Sequence, residues 1–429
     1  MSYQMMLCLC LSVFVITIYF RVVFKKTQIR RIRFWRRQIP LTVIANAIGF
    51  SSIALLFYFS YGYITDDRTF FVRCLAYHGN LFNMESGNDF MFYITKPLRL
   101  YFHLDLPSLH VLFGTMGFIG SMNFLFVLNK GVDFTDLRDK GNNMIRLWTI
   151  LCFPNIMVWG RIYGKDSTIL FLASICVICC YFIFEKKRNI VINLIICAMS
   201  IFLISKIRLH IAAALAVGLL AGLYFLSIAK RKYGSFNEQL LMKLIIPVTV
   251  IASFFVVTPF MIKKVTNRDT VSVDAMKSSL INATRMGAYG GSATALASEF
   301  RVDPTVVFTP KQIAENVLNL LFAPLPWQVR GGLDMVALAS NVLLLFLILR
   351  FVRRVDLSTA FQKYLLVTTI ALIGLLSFLT GNVGLILRQK TILLAFLFLF
   401  LLRSKPFRVA KSRRIPQRFA SAPAPAIQA

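Results

Sequence analysis

Apolar runs long enough to cross a membrane alternate along this chain with short links rich in Lys and Arg. A helix rises 1.5 Å per residue, so about 20 apolar residues span a hydrocarbon core of ~30 Å. Such runs fall near 5–24, 41–62, 107–128, 146–160, 167–184, 190–205, 211–229, 244–262, 335–350, 364–380 and 391–402, about eleven in all. The fourth is short and contains Pro154, which predicts a broken or tilted helix. The pattern predicts an all-α, polytopic integral membrane protein with a single transmembrane helical domain over 1–414. The end of the chain, 415–429, is low in complexity and reads as a disordered cytoplasmic tail.

The basic residues set the expected orientation. No basic residue precedes the first run, whereas Lys25, Lys26, Arg30, Arg31, Arg33, Arg36 and Arg37 follow it. A secretory signal has the reverse order, so the segment reads as a permanent anchor with its N-terminus outside. Alternating sides from there puts 30 of the 48 Lys and Arg, but only 6 of the 18 Asp and Glu, on the cytoplasmic face. That face then carries about +24 and the external face +6, as the positive-inside rule requires. Two external loops are long, 63–106 and 263–334, and the links near 161–166, 206–210 and 381–390 are short but polar. In the second long loop, Thr309, Pro310 and Gln312 match the N-cap, N1 and N3 positions of a helix. Ile313, Val317, Leu320 and Leu321 form one stripe on it, which predicts an amphipathic helix lying on the outer leaflet. Short helices of this kind are expected in both long loops.

Composition narrows the class. The 429 residues are 57% hydrophobic and 15% charged, with a mean hydropathy of +0.69. In a soluble protein a net charge of +30 would suggest a nucleic-acid partner; here it is largely topological, and none is implied. A soluble DNA-binding domain, a disulfide scaffold and a disordered chain are excluded. Of the eight Cys, Cys74 alone reads as external, and the Cys176/Cys179 spacing inside a membrane helix reads as inert packing. The four His have no ligand spacing, and there is no phosphate-binding loop or dinucleotide fingerprint. No metal and no cofactor are expected.

Candidate chemistry lies on the outer face, where polar groups have no topological purpose. Asp66 and Asp67 follow the second run closely and could activate or orient a sugar hydroxyl. The link FPNIMVWGRIYGKDS crowds Arg161, Lys165 and Asp166 between two runs; Asp166 or Ser167 can cap the following helix, while the two cations suit an anionic headgroup, above all a diphosphate. In SKIRLHI, Lys206, Arg208 and His210 separate two runs so narrowly that they fall near membrane depth, where charge is costly and usually functional. GNVGLILRQK places Arg388 and Lys390 at the external mouth of the last run, and APLPWQVRGG presents an interfacial Trp327 and Arg330.

Several of these stretches resemble a family. Pro154 to Ser167, with its P…W…GKDS pattern, is similar to a signature of polytopic proteins of bacterial surface-polysaccharide assembly. An Arg after the next span (Arg208), a late Pro-Trp (Pro326, Trp327) and an N-x-G…RQ(R/K) opening of the final helix (Asn382, Gly384, Arg388, Gln389, Lys390) agree in order along about two-thirds of the chain. The chain departs from the family around that Pro-Trp, where Ala323 and Leu325 flank Pro324 and Gln328 follows.

The resemblance implies an O-antigen or exopolysaccharide polymerase acting on polyprenyl-diphosphate-linked glycan at the outer face of the bacterial inner membrane. Its surroundings would be membrane lipids and a chain-length regulator. Arg161, Lys165, Arg208, His210, Arg330, Arg388 and Lys390 would then bind diphosphate and substrate, and Asp66, Asp67 or Asp166 would activate the acceptor. A C-type glycosyltransferase adding one sugar from a polyprenyl-phosphate donor is the alternative. A lipid-linked oligosaccharide flippase ranks third, because no internal repeat is evident.

Overall fold

The computed structural model describes residues 3–25, 67–81, 84, 87–131, 140–230, 310–329, 332–377 and 383–403. Among them the chain is helical, with no strand. In order the helices are α1 (Tyr3–Lys25), α2 (Asp67–Arg73), α3 (Gly87–Leu100), α4 (Leu106–Gly131), α5 (Lys140–Cys152), α6 (Pro154–Trp159), α7 (Lys165–Tyr181), α8 (Ile190–Ile207), α9 (Leu209–Lys230), α10 (Pro310–Phe322), α11 (Gly332–Phe351), α12 (Ala360–Ser377) and α13 (Val383–Leu402).

Five segments are long and apolar enough to cross a membrane: Leu106–Lys130, Lys165–Lys186, Ile190–Ile207, Leu209–Ile228 and Ala360–Ser377. They coincide with the third, fifth, sixth, seventh and tenth apolar runs. Helices α1, α11 and α13 stand where the first, ninth and eleventh runs were read. The second and eighth runs, Asp66, Arg330, most of the 263–334 loop and the 415–429 tail lie outside the described residues. The fourth run is broken at Phe153, whose extended backbone separates α5 from the Pro154-started α6, as the proline requires.

Side-chain contacts give the relative directions of the helices. Ser12 meets Thr115 (2.6 Å) and Met5 clusters with Val111, so α1 and α4 run parallel. Asn123 bonds Ser174 (2.9 Å), which makes α4 and α7 parallel too. Gly218 faces Thr368 and Gly222 faces Tyr364, so α9 and α12 are antiparallel. Arg146 reaches the Leu402 carbonyl (3.0 Å) while Thr391 lies at Asn155, so the broken α5–α6 runs against α13.

Small residues set the closest approaches, as expected where helices gain no hydrophobic drive from lipid. A Cβ on Gly218 would stand 1.9 Å from Thr368 Oγ1, and one on Gly222 2.5 Å from the Phe184 ring. Gly218→Leu is therefore expected to part α9 from α12 and cost about 1–3 kcal/mol by overpacking. A lowered thermal midpoint in detergent, with Gly374→Leu (open space around its Cβ) unchanged, is the check.

Two side-chain surroundings were not legible in the pattern. Cys74 is buried within the first long loop: its thiol donates to the Phe71 carbonyl at 3.1 Å, and Arg99, stacked on Phe71, lies over it. Helix α10 turns part of its stripe to protein. Asn316 and Leu320 are buried, and the helix packs on α12. A moment in a sequence locates an apolar face but does not say whether lipid or protein covers it.

The two ends of the bundle differ. At one, Arg403 pairs with Glu185 at 2.5 Å and stacks on Phe361, joining the ends of α13 and α7 beside the 185–188 basic cluster. At the other, the polar links gather.

Candidate functional site

The α6–α7 link sits at the centre of that polar end. Its residues Gly160–Gly164 fold inward. Tyr163 is 1% exposed, shares a 2.6 Å hydrogen bond between its hydroxyl and Thr95 Oγ1 of α3, and donates its backbone N–H to His110 Nδ1 of α4 (3.2 Å). Phe70 of α2 and Phe113 stack edge-on against the same ring. The first long loop is thus folded onto the link by one tyrosine. Arg161 turns inward as well, with 1% exposure, donating to the Leu151 carbonyl and lying 4.9 Å from the Phe118 ring. It answers a carbonyl left open where α5 breaks, rather than facing an outer headgroup. Burial pulls its guanidinium down to about 10, still protonated at neutral pH.

Asp166, in the first turn of α7, does not cap that helix. Gly164 is the N-cap, Ser167 donates its hydroxyl back to the Gly164 carbonyl (3.0 Å), and the Asp166 carboxylate turns to Arg208. The Arg208 guanidinium donates to Asp166 Oδ1 at 2.5 Å, and each side chain is 11% exposed.

Arg208 is the single non-helical residue between α8 and α9. Its N–H closes α8 on the Ile204 carbonyl (2.7 Å), and its own carbonyl accepts from Ile211 and Ala212 as α9 begins. Since α7 and α9 both run against α8, their N-termini lie at the same end as the pair. Two positive helix-dipole ends, the negative C-terminal end of α8, a guanidinium and one carboxylate therefore meet there. Gly87 at the start of α3 abuts the Ile207 carbonyl from outside; a Cβ there would come within 2.2 Å. His210, in the first turn of α9, has its Nε2 enclosed and without a hydrogen-bond partner.

The other expected cations divide. The Lys165 ammonium lies over the Phe70 ring (5.6 Å) and the Arg388 guanidinium over buried Trp159 (5.0 Å), both half-buried at this end. Lys390 is 2% exposed and donates to Asn341 Oδ1 of α11 (2.6 Å) and to the Leu321 carbonyl of α10. Because α13 starts at Val383, Arg388 and Lys390 stand inside the helix rather than before it, and Lys390 fastens protein to protein. Asp67 opens α2.

Sequence reasoning missed Tyr163, Thr95 and His110, which carry no charge pattern, and Asn341. Among the described residues no cluster of His, Cys, Asp and Glu could hold a metal ion. No family model, no curated protein and no solved structure matches the chain.

Proposed function

We propose that this chain joins polyprenyl-diphosphate-linked oligosaccharide repeats at the outer face of the bacterial inner membrane. The observation that carries the proposal is the Asp166–Arg208 pair between the N-termini of α7 and α9. Its elements suit glycosyl transfer from a diphosphate. An acceptor hydroxyl attacks C1 of the donor sugar, the C1–O bond breaks, and the polyprenyl diphosphate departs with that electron pair. Negative charge grows on the leaving diphosphate, and donors fixed in advance stabilise it best. Arg208 would exchange Asp166 for a phosphate oxygen, using the bidentate donors that a guanidinium offers. Asp166, released beside it, takes the acceptor's proton. Both helix N-termini favour the same anion. The diphosphate is already a good leaving group, so no nucleotide or metal is called for.

A deletion strain tests the reading. Its surface glycan is expected to stop at one repeat per carrier, seen by mass spectrometry of lipid-linked and transferred glycans. Polymer lacking one sugar would make the chain a single-sugar transferase. Repeats held on the inner leaflet would make it a flippase, and unchanged polymer would overturn the proposal.

A further inference from the structure

Trp327 is 72% exposed, on a turn that the rest of the protein holds unusually firmly. The turn runs from the end of α10 through a single 3-10 turn, Pro326–Gln328, towards α11. Asn341 donates to the Phe322 carbonyl (2.7 Å) and to the Pro324 carbonyl (3.4 Å). Lys390 binds Asn341 from the far side and takes the Leu321 carbonyl. Gln328 Oε1 accepts from the Leu325 N–H at 2.7 Å, closing the turn on itself. A buried lysine is an expensive brace, tolerated where it fixes something that matters. What this one fixes is a bare indole.

An aromatic anchor in the headgroup region needs no such brace, since Trp finds that boundary by its own amphipathic character. A ring held rigidly costs little entropy when it binds. A second feature points to a polar ligand: on the next residue, Gln328 Nε2 is buried and has no hydrogen-bond partner, although nearly all enclosed donors have one. A flat apolar face followed in sequence by an unmet amide donor is complementary to a pyranose, whose axial C–H bonds stack on the indole while a hydroxyl accepts from the amide once the Gln328 side chain turns towards it. Through Lys390 the turn is tied to α13, two residues from Arg388, which stacks on Trp159 at the start of the link carrying Asp166.

We infer that Trp327 and Gln328 form a sugar-binding platform that holds a neutral pyranose of the glycan beside the polar end. This rests on the proposed function and deepens it, so the test separates the two. Protein reconstituted with dibrominated phosphatidylcholine gives the location of the ring. The emission lost on Trp327→Phe should be quenched by acrylamide and spared by the brominated lipid; the opposite pattern would make Trp327 a lipid anchor and overturn the platform. In cells, Trp327→Ala is expected to shorten the mean polymer length at least about threefold at equal protein level, with Trp327→Phe recovering most of it. If Trp327→Ala leaves polymer length unchanged while deletion still stops at one repeat, the platform falls and the polymerase stands. If deletion leaves polymer normal, both fall.

Discussion

Arg208→Glu is expected to abolish polymer while the protein still reaches the membrane. Insertion follows the hydropathy of the runs and the basic links, which this change leaves in place. The site does not survive it. Asp166 loses its guanidinium and faces a second carboxylate in a place where each partner is only 11% exposed. Removing one member of a buried pair costs about 3–5 kcal/mol, because the remaining charge stays uncompensated. Loss of activity alone would therefore not separate chemistry from folding.

The exchange Asp166→Arg with Arg208→Asp makes that separation. It restores opposite charges in contact, so the thermal midpoint should return most of the way to wild type. It also moves the cation from the α8–α9 junction to the first turn of α7, so polymer should remain absent. Recovery of polymer by the exchanged pair would mean that it serves architecture alone, and the site assignment would be wrong. Arg208→Lys supplies the graded case: charge is kept but the planar, bidentate fork is lost, so reduced polymer at near-normal stability is expected.

What the sequence disclosed follows from what each signal measures. Hydropathy measures depth, so the five helices long and apolar enough to cross a membrane stand at runs of the sequence, and Pro154 marks the break at Phe153. Depth says nothing of azimuth. Arg161 and Lys390 looked alike in sequence to Arg208, yet both turn inward to carbonyls of neighbouring helices, at Leu151 and Leu321. Asp166 and Arg208 were each legible, one from a crowded link and the other from a cation at membrane depth. Their pairing across 42 residues was not, because it depends on how α7 packs on α8. Tyr163 gave no signal either. It is an ordinary apolar-face aromatic until Thr95 and His110, from two other helices, are placed around it. The glycines show the same limit: sequence shows where backbone can approach closely, but not what approaches.

Gly117→Ala carries the last of these points to a measurable result and is expected to disable the protein with one methyl group. The ideal Cβ would lie 1.7 Å from the Gly160 carbonyl oxygen and 2.9 Å from its carbon. Both are backbone atoms and cannot rotate away as the tip of a side chain would. The displaced segment is the link that holds Arg161, Tyr163 and, one step later, Asp166. Overpacking of this kind costs about 1–3 kcal/mol. The activity loss should exceed the stability loss, since a displacement of about 1 Å at reacting groups costs on the order of 10²-fold in rate. Gly120→Ala, whose Cβ would sit 3.1 Å from Leu170, asks its neighbours to give only a few tenths of an ångström and should fall between. Gly374→Ala, with open space around its Cβ inside α12, should be neutral or slightly stabilising, by at most about 1 kcal/mol from helix propensity. Thermal midpoints and polymer yields of the three variants should therefore rank Gly117, Gly120, Gly374 from most to least damaged. A Gly117→Ala protein indistinguishable from Gly374→Ala would mean that α4 does not support the link in this way, and the geometry of Asp166 against Arg208 would lose its foundation.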